Sequence, residues 1–193
     1  MSDGVTVLVD ATADLGVLVL PAAACTTHNV AFLIEHTSGF ICAAAPAAVY
    51  ERLRVPSLAP PGQPPAADDY GVSFDAATGI TTGISAADRA RVLRLLASPA
   101  TRPDDLARPG HVVSVRAREG GVLARAAIPE AACELVRRTG ATPVAAYAHV
   151  VSRCDPTTLA SASELADFAA EHALPLTDVA TIKSGAISME IAS

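Results

Sequence analysis

Two apolar runs, residues 5–9 (VTVLV) and 17–20 (VLVL), are joined by only seven residues, 10–16. Runs this short and rich in β-branched residues read as buried strands. The 10–16 segment reads as a tight connection between them. A chain that begins this way must cover a sheet with something else. At 193 residues it has room for one domain with a substantial core. Aromatic residues make up 4% and Trp is absent, so that core has to be built from Ala, Val, Leu and Ile.

The rest of the pattern alternates irregularly between strands and helices. Residues 29–35 are helical in character, with Gly39 as a stop. A strand is expected over 40–45 and a short helix over 46–53. The 55–69 segment carries five prolines, Pro56, Pro60, Pro61, Pro64 and Pro65, and reads as a surface loop. A helix over 85–96 is expected to start at Ser85, with Asp88 in the capping-box position and Pro99 and Pro103 beyond its end. Strand 112–115, a turn at Gly120–Gly121, helix 129–138, strand 144–151 and helix 161–172 follow. No internal repeat occurs. The whole chain, 1–193, reads as a single α/β or α+β domain.

Composition excludes several classes of function. A formal charge of −6 without a basic run argues against nucleic acid. The N-terminus lacks a signal-like charged region, and the longest apolar stretch is interrupted by Pro21, so no membrane segment is expected. Cys25, Cys42, Cys133 and Cys154 form no CxxC pair, which suits a reduced, cytoplasmic setting. Thirteen Arg against one Lys, Lys183, reads as codon bias.

Candidate chemistry is scattered. His111, in RPGHV, sits at a turn–strand junction where an imidazole can act as acid or base, or simply bond the turn. Arg125 precedes a helix N-terminus, a natural anion site, with Glu130 as a possible ion-pair partner. The loop GITTGISAADR offers Thr81, Thr82 and Ser85 to a phosphate, or merely caps its helix. His149 lies in an apolar strand (YAHVV), a setting typical of a core or interface residue. Ser38 and His36 belong to the EHTSG turn, and Cys42 reads as a small buried hydrophobe. Asp10 and Asp14 are the acids of the first connection. Two carboxylates would hold a divalent cation weakly if a third ligand joined them. No HxxH, GxGxxG, P-loop or GxSxG pattern is present.

Taken together, GVTVLVD, GVLVLPA, HTSGFIC, TTGISAADR, LARPGHVVSVRAREGGVLAR and ALPLTDVATI resemble the 3,4-dihydroxy-2-butanone 4-phosphate synthase family, in that family's order. The resemblance implies one compact α+β domain, a mixed sheet packed with helices. It also implies a homodimer with a site shared across the interface, and a magnesium-dependent reaction. That reaction takes ribulose 5-phosphate to 3,4-dihydroxy-2-butanone 4-phosphate and formate.

The resemblance carries over unevenly. The family's acidic loop, roughly DDEDRENEGD, corresponds here to VDATADLGV. Its metal-binding Glu falls on Ala13 or Asp14, and a late Asp falls on Val17. Its RGGHTEA corresponds to RAAIPEA, so the metal-binding His becomes Ile128 and its neighbour Pro129. Its strand Glu becomes His149. Arg125, His111, Cys42, the TTG loop and Glu130 remain. Isoleucine has no lone pair for a metal. The expectation is therefore a divergent, metal-independent acid/base enzyme with no cofactor: an isomerase, lyase, cyclase or dehydratase of specialised metabolism. His111 and His149 would be catalytic with Asp14 as orienter. Arg125, Thr82, Ser38, Cys42 and Glu130 would bind a small phosphorylated or carboxylated substrate. Two alternatives stand beside it: a non-catalytic binding or partner protein, and a synthase that keeps the family's reaction.

Overall fold

A computed structural model describes residues 4–60, 67–185 and 190–191. In chain order the elements are β1 (Thr6–Asp10), β2 (Leu15–Pro21), α1 (Thr27–His36), β3 (Cys42–Pro46), α2 (Ala47–Arg52), β4 (Asp69–Tyr70), β5 (Phe74–Ala76) and α3 (Ala86–Ala97). They continue with β6 (Leu106–Ala117), α4 (Gly121–Ala124), α5 (Ile128–Arg138), β7 (Ala145–His149), α6 (Ala162–Glu171), β8 (Pro175–Asp178), α7 (Val179–Ser184) and β9 (Glu190–Ile191).

The strands join into one mixed sheet in the order β4-β6-β3-β7-β2-β1-β8-β9, with β5 added on β6. β1 runs parallel to β8 and β3 parallel to β6, while the other pairings are antiparallel. Successive side chains leave a strand on opposite faces. Val7, Val9, Leu18 and Leu20 therefore enter one core, against α1, α3 and α6. Leu8, Val17, Val19, Cys42 and Tyr147 enter a second, against α5 and α7. This is why β1 and β2 show no polar alternation. Gly16 lets them approach, since a Cβ there would overlap Leu165 and the Leu8 carbonyl. The fold is the expected α+β domain.

Several local expectations are revised. β6 is much longer than 112–115, because β3, β4 and β5 all pair along it. Ser85 does cap α3, accepting from the Asp88 amide at 3.1 Å. The Asp88 carboxylate does not take the Ser85 backbone amide, however. It takes the Thr81 hydroxyl at 2.7 Å and the Gly83 amide at 3.1 Å, tying the TTG loop to the helix. α1 has a full capping box that was not foreseen, Thr26 with Asn29. β4, β5, β8, α7 and β9 were also not foreseen. They are short, and β8 (PLTD) owes its strand character to pairing with β1. Pro61, Pro64 and Pro65 lie outside the described residues.

Candidate active site

The C-terminal end of β6 and the N-terminus of α5 meet around one guanidinium. Pro129 stands in the first turn of α5, where its missing amide costs nothing, and Glu130 follows it. The Glu130 side chain is fully buried and accepts from the Arg118 amide at 2.9 Å. Arg125 reaches it through Nη1 at 3.3 and 3.4 Å. Arg125 Nη2 donates to Asp68, just before β4. Burial works against the charge of Arg125, but the Asp68 bond and Glu130 outweigh it and raise the pKa.

Beside this cluster lies the second-core face of the sheet. His149 sits opposite Val17 in the β2–β7 ladder, and its carbonyl accepts from the Ser38 amide at 2.8 Å. Burial lowers the His149 pKa, and the Asp68 carboxylate opposes the shift. The imidazole is thus neutral near pH 7. Tyr147 meets the His149 ring edge-on, with centroids 6.0 Å apart. The Tyr147 hydroxyl is buried, with the Cys42 thiol as its polar neighbour. Cys42 is buried, and desolvation pushes its thiol up to about 12, so it stays protonated and is no nucleophile.

His111 stands elsewhere. It lies six residues before the end of β6, about 20 Å along the strand. Its Nδ1 is 2.7 Å from Asp75 Oδ2, and its backbone amide donates to Asp75 Oδ1 at 2.9 Å. A proton on Nδ1 satisfies that contact and leaves Nε2 as the working nitrogen. Exposed Thr82 belongs to the neighbouring TTG loop, and Phe40 and Ile84 are also exposed, at 54% and 53%. Within one chain His111 is therefore separated from Arg125 along β6, while the β6–β3–β7 register sets it two strands from His149.

The matching family model, 3,4-dihydroxy-2-butanone 4-phosphate synthase, covers residues 2–184. The chain belongs to this synthase family. It is 46% identical over 167 residues to the riboflavin biosynthesis protein RibBA of Salinispora tropica, covering 86% of this chain and 41% of that protein. For RibBA of Mycobacterium tuberculosis the identity is 42%, covering 86% and 39%. The chain thus spans about two fifths of the length of these relatives. A solved 3,4-dihydroxy-2-butanone 4-phosphate synthase in complex with two magnesium ions superposes with a TM-score of 0.86. It is 32% identical, over 95% of this chain and 91% of that one. RibBX of A. baumannii, a two-domain synthase, gives 0.84 and 29%, over 91% and 52%.

The synthase relative with magnesium raises the question whether this chain fits such an ion. Where the resemblance places the metal-binding His, Ile128 is 6% exposed and packed in the second core. Asp10 Oδ1 accepts from the amides of Thr12 and Ala13, and Asp14 Oδ1 caps α6 through the Ala162 amide at 2.9 Å. Among the described residues, no three His, Cys, Asp or Glu side chains gather around one point. The donor set does not fit the family's ion.

The expected site residues divide accordingly. Arg125, Glu130, Cys42 and His149 share one region, with Ser38 bonded to His149 through the backbone. His111 and Thr82 share another, two strands from His149 across β3. Asp14 orients neither histidine: the charge felt by His149 is that of Asp68. Glu130 faces Arg125 and the scaffold rather than solvent. Asp68, Tyr147 and Asp75 were missed. Asp68, next to Asp69, and Asp75 lie in stretches without periodicity, and only strand pairing brings them to the site.

Proposed function

We propose that the chain performs its family's reaction on ribulose 5-phosphate, giving 3,4-dihydroxy-2-butanone 4-phosphate and formate. The observation that carries this is the extent of the likeness. The family match runs over residues 2–184, and 46% identity holds over 167 residues of a RibBA protein. This favours the retained reaction over a divergent one.

The chain's own groups supply parts of the chemistry. Arg125 is the anchor for the substrate phosphate. Neutral His149 is the base for the proton next to the carbonyl, the first demand of an enolisation. His111, oriented by Asp75, serves as the second acid/base group and enters from another copy of the chain, since its own Arg125 is out of reach. Cys42 keeps its proton and packs beneath His149 and Tyr147 in the second core. No step is assigned to a metal, because the residues do not fit one.

One observation favours a second reading. Ile128 at the metal position suits a metal-independent isomerase, lyase, cyclase or dehydratase on the same scaffold. Incubating the pure protein with ribulose 5-phosphate, with and without magnesium, separates the two. Formate release is the expected outcome. If the sugar phosphate binds but no formate appears, the synthase reading falls and the second stands.

A further inference from the structure

Arg125 is already occupied on two sides. Asp68 takes Nη2 and Glu130 takes Nη1, so two carboxylates surround one cation. The two acids are held very differently. Glu130 has a fully buried side chain and also bonds the Arg118 amide, so it cannot leave without stranding a backbone donor. The Asp68 side chain is 22% exposed, and among the described residues Arg125 is its one hydrogen-bond partner. Asp68 is also the charge that faces the second-core side of the sheet. Its field acts on Cys42, Tyr70, Tyr147 and His149. In the same region the buried Tyr147 hydroxyl has the soft Cys42 thiol as its polar neighbour.

We propose that Asp68 is a specificity-determining residue: its carboxylate stands in for a ligand anion on Arg125, and a phosphorylated ligand must displace it to be held. With both acids in place, a phosphate dianion meets net negative charge at the guanidinium. With Asp68 turned away, Arg125 and Glu130 balance, and one edge of the guanidinium opens. The residue thus selects against free anions and for ligands whose remaining contacts compensate for moving it. The inference rests on Arg125 being the phosphate anchor.

The test is calorimetric binding of inorganic phosphate to the full chain, which reads the anchor without turnover. Its failure is therefore distinct from a failure to release formate. Asp68→Asn, which keeps the shape and removes the charge, is expected to tighten phosphate binding by about tenfold. The KM for ribulose 5-phosphate should fall in the same direction, with kcat changing less. Asp68→Ala should act alike, and Arg125→Ala should abolish phosphate binding in both backgrounds. Thermal melts confirm that each variant is folded. Phosphate binding that is unchanged or weaker in Asp68→Asn, absent from both forms, or surviving Arg125→Ala overturns the proposal.

Discussion

A methyl group at residue 83 has no room. Gly83 lies at φ +89°, and a Cβ there would overlap both the Asp75 carboxylate and the His111 ring. The residue is Gly because the TTG loop closes directly over the acid/base pair. Gly83→Ala is expected to cost about 2 kcal/mol of stability and to lower activity by separating the pair. Urea unfolding and the formate assay measure the two effects; unchanged values in both would deny the tight packing. The arginines also gain a structural role at this scale, where codon bias alone had been expected. Arg52 donates to the Thr101 carbonyl at 2.6 Å, Arg89 to Gly39 at 2.8 Å and Arg91 to Thr78 at 2.9 Å. Arg108 reaches both Leu53 and Pro103. A planar fork can tie a loop carbonyl to a distant element in a way that a lysine point charge does less well. Apart from Pro103, five residues from Arg108, these partners are distant in sequence and were not legible there.

At the scale of elements, α5 shows a helix whose ends obey local rules. Pro129 and Glu130 open it, and Arg137 and Arg138 close it. Glu134 bonds both arginines, at 2.6 and 2.7 Å to Arg137 and 3.0 Å to Arg138. The Arg137 bonds lead in holding its carboxyl at about 2, against an ordinary 4.5. A depressed folded value means that the contribution is complete above 4.5 and disappears as pH falls toward 2. Wild type should therefore exceed Glu134→Gln in stability at pH 6, and the gap should narrow at pH 3. Circular dichroism of urea unfolding at the two pH values checks this, and a constant gap would count against it. Strands and helices with strong periodicity or caps were legible with nearly their true limits: β1, β2, α5, β7 and α6. β4, β5 and β8 were not, because two to four residues carry no period and pairing alone makes them strands. Asp88 illustrates the same limit. Its spacing from Ser85 announced a capping box, yet the carboxylate takes the Thr81 hydroxyl and the Gly83 amide rather than the Ser85 amide.

At the scale of the whole molecule, the site is split along β6. Arg125 and Asp68 lie toward one end, while His111, Asp75 and Thr82 lie toward the other, where the β6–β3–β7 register places His149 two strands from His111. If two copies combine these halves, inactive His111→Ala and inactive Arg125→Ala chains should rescue one another. Equal mixing places one intact site in half of the dimers, so about a quarter of wild-type activity is expected. Formate release after mixing and re-equilibration measures it, and no recovery would show that the halves do not meet. Among the described residues no helix is long and apolar enough to cross a membrane.

The sequence alone settled the family and the layered α+β frame. Unbroken aliphatic runs must be buried on both faces, and the motifs around Gly83, His111 and Arg125 are contiguous. It also showed that Ile128 cannot bind a metal, a matter of one side chain's chemistry. Only the tertiary structure decided which charges face one another. Asp68 reaches Arg125 across 57 residues and Asp75 reaches His111 across 36. Such contacts depend on strand register and loop closure, which no local pattern encodes.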